Sequence, residues 1–131
     1  IGRTVTAALS LAVDPPSLLV SIDAGARLSA LIRARGGFSF AMLQSDQQAV
    51  AEAFAGKVQP NHRFDHGVWD IWPSGHPRLR GAVAAMDCVL TGEIETNDHV
   101  LFFGQPPHIA LSDTRSPLVL HGRRVHTVAA L

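Results

Sequence analysis

Helical spacing is confined to two stretches of this chain, both ending before residue 57, and the apolar segments that follow alternate in period two. A chain built that way lacks the crossover helices that successive parallel strands require, so the pattern points to antiparallel pairing. The first helical stretch, residues 26–35 (ARLSALIRAR), places Leu28, Leu31 and Ile32 at helical spacing, and Gly36-Gly37 stops it. The second spans 45–55. There Ser45 and Gln48 form an S-x-x-Q capping box, Val50 and Phe54 share a face, and Gly56 terminates the helix. Strand patterns cover 3–9, 17–22, 37–43, 80–95, 99–104 and 117–128. The 17–22 run is apolar enough to be buried on both faces, 80–95 is expected to bend near Gly92, and 117–128 reads as a hairpin turning at Gly122-Arg123. Asp14-Pro15-Pro16 separates the first two strands, because neither proline can donate to a β ladder. Residues 57–79 read as a long connection. Six or so strands with two short helices predict a mainly β (α+β) fold, an antiparallel barrel with the helices packed outside.

Composition narrows the function. The chain has 131 residues, which suits a single domain over 1–131, and 47% of them are hydrophobic, enough for a packed core. Eleven basic residues balance eleven acidic ones without a basic stripe, so the electrostatic footprint of a nucleic-acid binder is missing. No apolar stretch is long enough for a membrane-spanning helix. One cysteine, Cys88, makes no intrachain disulfide, and together with the lack of a signal-peptide pattern it points to a reducing, cytoplasmic setting. A β pattern begins almost at Ile1, so a further segment is expected upstream.

Most candidate chemistry has a plain alternative. His62 and His66 stand four apart, but between Pro60 and Gly67 and without a third ligand they read as solvated loop histidines, so no metal is expected. Cys88 on an alternating strand reads as a buried structural thiol. No nucleophile elbow, Walker loop or dinucleotide fingerprint occurs. Asn97-Asp98-His99 delivers a histidine to the first position of an apolar strand. It is either an exposed turn residue or a ring aimed into a pocket, and spacing does not choose between them.

Taken in order, G-x-T-V-T-A-x-x-S, D-P-P, A-R-L-x-x-L-I, G-G-F-S-F-x-M-L, Q-Q-A-V-A-E-x-F-A-G, R-F, the D-C strand and N-D-H-V-L-F-F-G resemble the flavin reductase-like family over residues 2–128. That resemblance implies an FMN-binding split β-barrel with short flanking helices. It also implies an NAD(P)H:flavin oxidoreductase that uses FMN or FAD with NADH or NADPH. Members form homodimers and supply reduced flavin to a flavin-dependent monooxygenase. A non-enzymatic flavin- or heme-binding split barrel is the alternative. A pyridoxamine-phosphate-type oxidase is a weaker rival, since nothing marks a second phosphate site.

The resemblance also assigns candidate site residues. Thr4, Val5, Thr6, Ala7, Ser10, Leu11, Ala12 and Asp14 fall on the segment that runs beside the flavin, where small side chains let the backbone approach a flat ligand. Asp23, Gly25 and Arg27 fall on the phosphate-side loop ahead of a helix N-terminus. Lys57 and Arg63 are further phosphate candidates, and Ala41 stands where relatives often carry Asn. His99 matches the histidine of the family's G-D-H-type turn, on the nicotinamide side. Hydride transfer needs no side-chain nucleophile, so its catalytic role is one of positioning. Ala12 and Gly25 replace common serines and Val125 a common tyrosine. Losing two neutral donors weakens binding by roughly one to two orders of magnitude.

Overall fold

A computed structural model describes residues 1–5 and 7–131; of the site candidates only Thr6 lies outside them. Nine strands and two α-helices follow in the order β1 (Ala8–Val13), β2 (Pro16–Asp23), α1 (Arg27–Arg35), β3 (Gly37–Met42), α2 (Gln48–Glu52), β4 (Trp69–Ile71), β5 (Pro77–Leu79), β6 (Ala84–Glu95), β7 (His99–Leu111), β8 (Val119–His121) and β9 (Arg124–His126). Five of the strands form one antiparallel sheet in the order β1-β2-β7-β6-β3, and β4-β5 and β8-β9 are separate two-stranded ribbons. The mainly β, antiparallel class expected from the sequence is therefore present. Among the described residues the large sheet stays open, with β1 and β3 at its edges.

The core lies between the sheet and α1. Leu18, Val20 and Ile22 of β2 pack with Ile32, Phe38, Cys88, Val100 and Phe102. Phe102 is fully buried, and burying such a ring contributes about 1.5–3 kcal/mol. Burial in β2 alternates rather than extending to both faces, so the sequence expectation fails there: among the described residues no layer covers Ser17, Leu19 and Ser21, which are only half-buried. α1 starts where expected and ends on Gly36, whose left-handed φ of 68° lets its N–H reach the Ile32 carbonyl. Arg33 in its last turn reaches across to Glu93 at 2.8 Å and Glu95 at 2.7 Å.

Several boundaries differ from the sequence reading, each for a local reason. The first strand starts at Ala8 instead of residue 3, because Thr4 hooks onto the second helix: its N–H donates to the Phe54 carbonyl and its Oγ1 to the Ala51 carbonyl. The capping box does not form. Ser45 Oγ donates to Ser116 Oγ, and Gln47 instead accepts from the Gln44 N–H through its side chain, so α2 begins only at Gln48. After Glu52 the chain makes a π-turn over Ala53–Lys57, closed by Gly56 at φ 107°. Residues 57–79 are more ordered than a plain connection, with a 3-10 helix over Pro60–Asp65 and the β4-β5 hairpin. Phe54, Phe64 and Trp69 lock this region together, Phe64 edge to face with both other rings and Phe54 tilted against Trp69, with ring centroids 4.8–5.5 Å apart.

β7 runs far beyond Gly104. Two prolines follow, but Pro106 and Pro107 fall in the gap where the β6-β7 register shifts between Gln105 and His108, so no ladder bond is lost to them. β6 begins at Ala84, because residues 80–83 form a turn, and its register shifts again beside Gly92, as the expected bend requires. At the C-terminal hairpin Gly122 and Arg123 both have positive φ, 59° and 63°, the signature of a tight two-residue turn.

Candidate functional site

A cavity of about 970 Å³ wraps around the edge strand β3. Its size is at the upper end of the range of roughly 300–1,000 Å³ usual for ligand pockets. The alternation of β3 turns Phe38 toward the core and leaves Gly37, Ser39 and Ala41 on the opposite face. Across the ladder Gly37 faces Val89, Ser39 faces Asp87 and Ala41 faces Ala85, so the stretch from Ser39 to Ala41 is a floor from which no large apolar side chain projects. Residues of β2, α1 and α2, segment 1–5, the π-turn with Lys57, the β4-β5 hairpin with Trp72 and His76, and the β8-β9 ribbon with Val125 form the walls. Arg3, Arg35 and Lys57 place cations around a mainly apolar interior. A flat, multi-ring anion fits such a space: small residues admit the ring to contact distance, and the cations suit a phosphate.

A second polar centre adjoins the cavity through Arg3, whose Nη1 lies 3.5 Å from Asp23 Oδ2. His99 stands opposite Asp23 on the β2-β7 ladder. Its Nε2 is 3.0 Å from Asp23 Oδ1 and its Nδ1 2.8 Å from Asp98 Oδ1. The hydrogen bond to Asp98 raises the His99 pKa, burial opposes it, and the charges of Asp98 and then Asp23 add to the rise; the same bond lowers the pKa of Asp98. An imidazolium with both N–H groups given to carboxylates has no ring nitrogen left for a ligand. The corner is well braced: the Ala24 N–H donates to the Asp98 carbonyl, and Ser29 Oγ donates to the Asp23 carbonyl.

Apart from Arg63, the described site candidates separate into three groups. Thr4, Val5, Ala41 and Lys57 line the cavity, although Lys57 also pairs with Glu52 at 3.3 Å. Asp23, Gly25, Arg27 and His99 gather at the corner, on the loop ahead of α1 and the turn ahead of β7. Ala7, Ser10, Leu11, Ala12 and Asp14 lie away from both, along the exposed edge strand β1 and its turn, where the ladder bulges between Ser10 and Ala12. Arg63 is a brace, its Nη1 donating to the Gly2 carbonyl at 3.1 Å. His62 pairs with Asp65. Cys88 is a core thiol, and burial, helped by the charge of Asp87, pushes its pKa up to about 12. Sequence reasoning missed Ser39 of β3 and, brought to the cavity wall by the β4-β5 hairpin, Trp72 and His76, the latter in contact with Asp87 of β6.

Comparison with known proteins agrees with this geometry. The model of the flavin reductase like domain matches residues 1–129. The reductase component of an FADH(2)-dependent resorcinol hydroxylase from Rhizobium sp. is 37% identical over 90% of this chain; the match spans 66% of that relative, just under two thirds of its length. An NADH-dependent FMN reductase from Ancylobacter novellus is 31% identical over 98% of this chain and 71% of its own. The solved structure of the NADH:FAD oxidoreductase from Streptomyces globisporus superposes with a TM-score of 0.89 at 26% identity, covering 98% of this chain and 78% of that one. A cavity with a small-residue floor on an open antiparallel sheet, and a family model that accounts for nearly every residue, lead to one statement: this chain belongs to the flavin reductase-like domain family.

Proposed function

We propose that this chain is an NAD(P)H-dependent flavin reductase that provides reduced FMN or FAD to a partner monooxygenase. Flavin and nicotinamide supply the redox chemistry, a hydride passing from nicotinamide C4 to flavin N5 with a proton taken up from solvent. The protein's own contribution is positioning and exclusion of water. The floor from Ser39 to Ala41 supports the flat ring, while Arg3 on the cavity wall, with Arg27 and the first turn of α1 at the adjoining corner, favours the phosphate. His99 positions the loop 23–27 by holding Asp23 and Asp98 together, rather than by touching a ligand through nitrogen. The observation that carries this reading is the cavity against β3, which combines apolar walls with cations in the family's own fold.

Relatives are named as NADH enzymes, one for FMN and another for FAD, and one as a component of a hydroxylase system. NADH is accordingly the expected donor, and an oxygenase that consumes reduced flavin is the expected partner. A homodimer is part of the same reading. The outer sheet face exposes Leu9 and Ile94, and the β1 edge beside it exposes Leu11 and Val13, each at least half exposed; a second copy is the commonest cover for such a surface. No described helix is long and apolar enough to cross a membrane, and a cytoplasmic location fits the reducing chemistry.

The decisive experiment adds NADH to the protein with bound flavin under anaerobic conditions. The expected result is bleaching of the flavin absorbance, preceded by flavin binding with a dissociation constant in the micromolar range, about −8 kcal/mol. Binding without bleaching would instead support the non-enzymatic flavin carrier, and heme binding without flavin binding the heme-protein alternative.

A further inference from the structure

We propose that His76, held by the buried carboxylate of Asp87, receives the polar edge of the flat ring in the cavity, hydrogen-bonding a planar heterocycle that carries adjacent N–H and C=O groups. The inference rests on the flavin reading above, since the pyrimidinedione end of a flavin is such an edge. Four observations converge on this residue.

The β4-β5 ladder ends at Ile71 opposite Pro77, and the Trp72 N–H donates to the His76 carbonyl at 2.9 Å. Trp72 and His76 are thus cross-strand neighbours on one face of the hairpin, and both line the cavity. His76 Nδ1 is 2.8 Å from Asp87 Oδ1. Asp87 is only 4% exposed, so this contact is sheltered from water and fixes both the ring's orientation and its tautomer. Gly37 makes the space: a Cβ there would stand 3.1 Å from the His76 ring carbon Cε1. With Nδ1–H given to Asp87, Nε2 is the nitrogen left over, and it has no protein partner among the described residues.

With Nδ1–H given to Asp87, the ring offers an acceptor at Nε2, and Ser39, directly opposite Asp87 on the same face, offers a hydroxyl donor. An N–H beside a C=O is the complement of that couple. The floor from Ser39 to Ala41 lies beneath it, and the phosphate-favouring loop stands at the other end of α1, whose nine residues span about 13 Å. An extended molecule with a ring at one end and a phosphate at the other matches that separation.

The rival explanation is that His76–Asp87 only staples the hairpin to the sheet. His76→Asn separates the two roles, because the Asn amide can donate to Asp87 from the position of Nδ1 while nothing replaces Nε2. FMN and riboflavin would be titrated against wild type and variant by flavin fluorescence, with thermal melts on the same preparations. The expected result is about tenfold weaker binding of both flavins at an unchanged melting temperature. Equal dissociation constants for the variant and wild type would overturn the proposal. On the wild-type protein, the 15N resonance of His76 Nε2 must move when riboflavin, which has no phosphate, saturates the site. An unmoved resonance overturns the proposal as well, even if the variant fails to fold. Failure of wild type to bind either flavin at hundreds of micromolar would sink the flavin reading itself, whereas normal wild-type binding that ignores His76 sinks only this inference.

Discussion

Two histidine–aspartate contacts stand toward opposite ends of the β6-β7 ladder, and they differ in almost everything but chemistry. His99 opens β7, whereas Asp87, the partner of His76, pairs with His108 nine residues further on, about 30 Å of extended strand away. At the His99 end two carboxylates share one imidazolium in contact with water, and the side chains of Asp23 and Asp98 are 57% and 77% exposed. At the other end one carboxylate at 5% exposure holds one ring that is itself mostly covered. Water competes for the first contact and is excluded from the second. The exposed pair therefore sets the charge and posture of a loop, while the sheltered pair fixes the direction of a single nitrogen. Contacts of the same length thus carry different weight, and substitutions at the two ends should differ accordingly.

The largest effect is expected at Gly37, beneath the sheltered pair. A Cβ there would lie 2.4 Å from the Cys88 backbone oxygen as well as against His76, so Gly37→Ala must displace the β3-β6 ladder. A loss of about 3 kcal/mol is expected, seen as a fall in melting temperature of roughly 10 °C. A stable Gly37→Ala variant would show that the hairpin is packed more loosely against β3 than the sheltered pair requires.

Next comes Asp87→Ala, which leaves the His76 Nδ1–H without its partner in a largely dry place. Stability should drop by about 1–3 kcal/mol in urea melts, with the m-value unchanged. The same truncation at the exposed end, Asp98→Ala, should change the midpoint hardly at all, because water replaces the lost acceptor. Equal losses at the two ends would erase the distinction.

His99→Ala is expected to be milder again in stability and to show its effect in ligand use. With both ring nitrogens committed to carboxylates, the loss should be about 1 kcal/mol, roughly fivefold in kcat/KM. If His99 acts through the loop, the loss falls on FMN and spares riboflavin. A loss confined to the KM for NADH would instead place the ring on the nicotinamide side, as the family resemblance implies.

The smallest effect is a pH dependence. Asp98 and Asp23 raise the His99 pKa in the folded protein, so the folded state binds that proton more tightly than the unfolded chain. The resulting stability is present in full below the ordinary value of 6.5 and is lost as pH rises through the raised folded value. The melting-temperature gap between wild type and His99→Ala should therefore narrow as pH climbs beyond 6.5, and a gap that widened would reverse the assigned charge state.

The sequence revealed local structure well and distant pairing poorly. α1 was legible because Leu28, Leu31 and Ile32 share a face and Gly36 stops the turn. The tip of the last hairpin was legible because Gly122-Arg123 carries its own turn chemistry. His99 at a strand start was legible from Asn97-Asp98. The His76–Asp87 contact was not, since it depends on a hairpin of two three-residue strands folding onto a strand that begins several residues later. The capping box misled because Ser45 found a partner 71 positions away, and β7 looked shorter than it is because prolines break a regular ladder, and only the register shift that absorbs them lets the strand run on.

The turn at Gly122-Arg123 gives a practical handle. It presents two consecutive arginines, Arg123 and Arg124, both exposed at the tip of a ribbon whose Val119, Leu120 and Val125 form part of the cavity wall. Trypsin cuts after arginine, and exposed loop tips are where nicking begins. A ligand that tightens the ribbon against the cavity should slow that cut, so the rate of limited digestion reports occupancy with no spectroscopic label and no catalytic turnover.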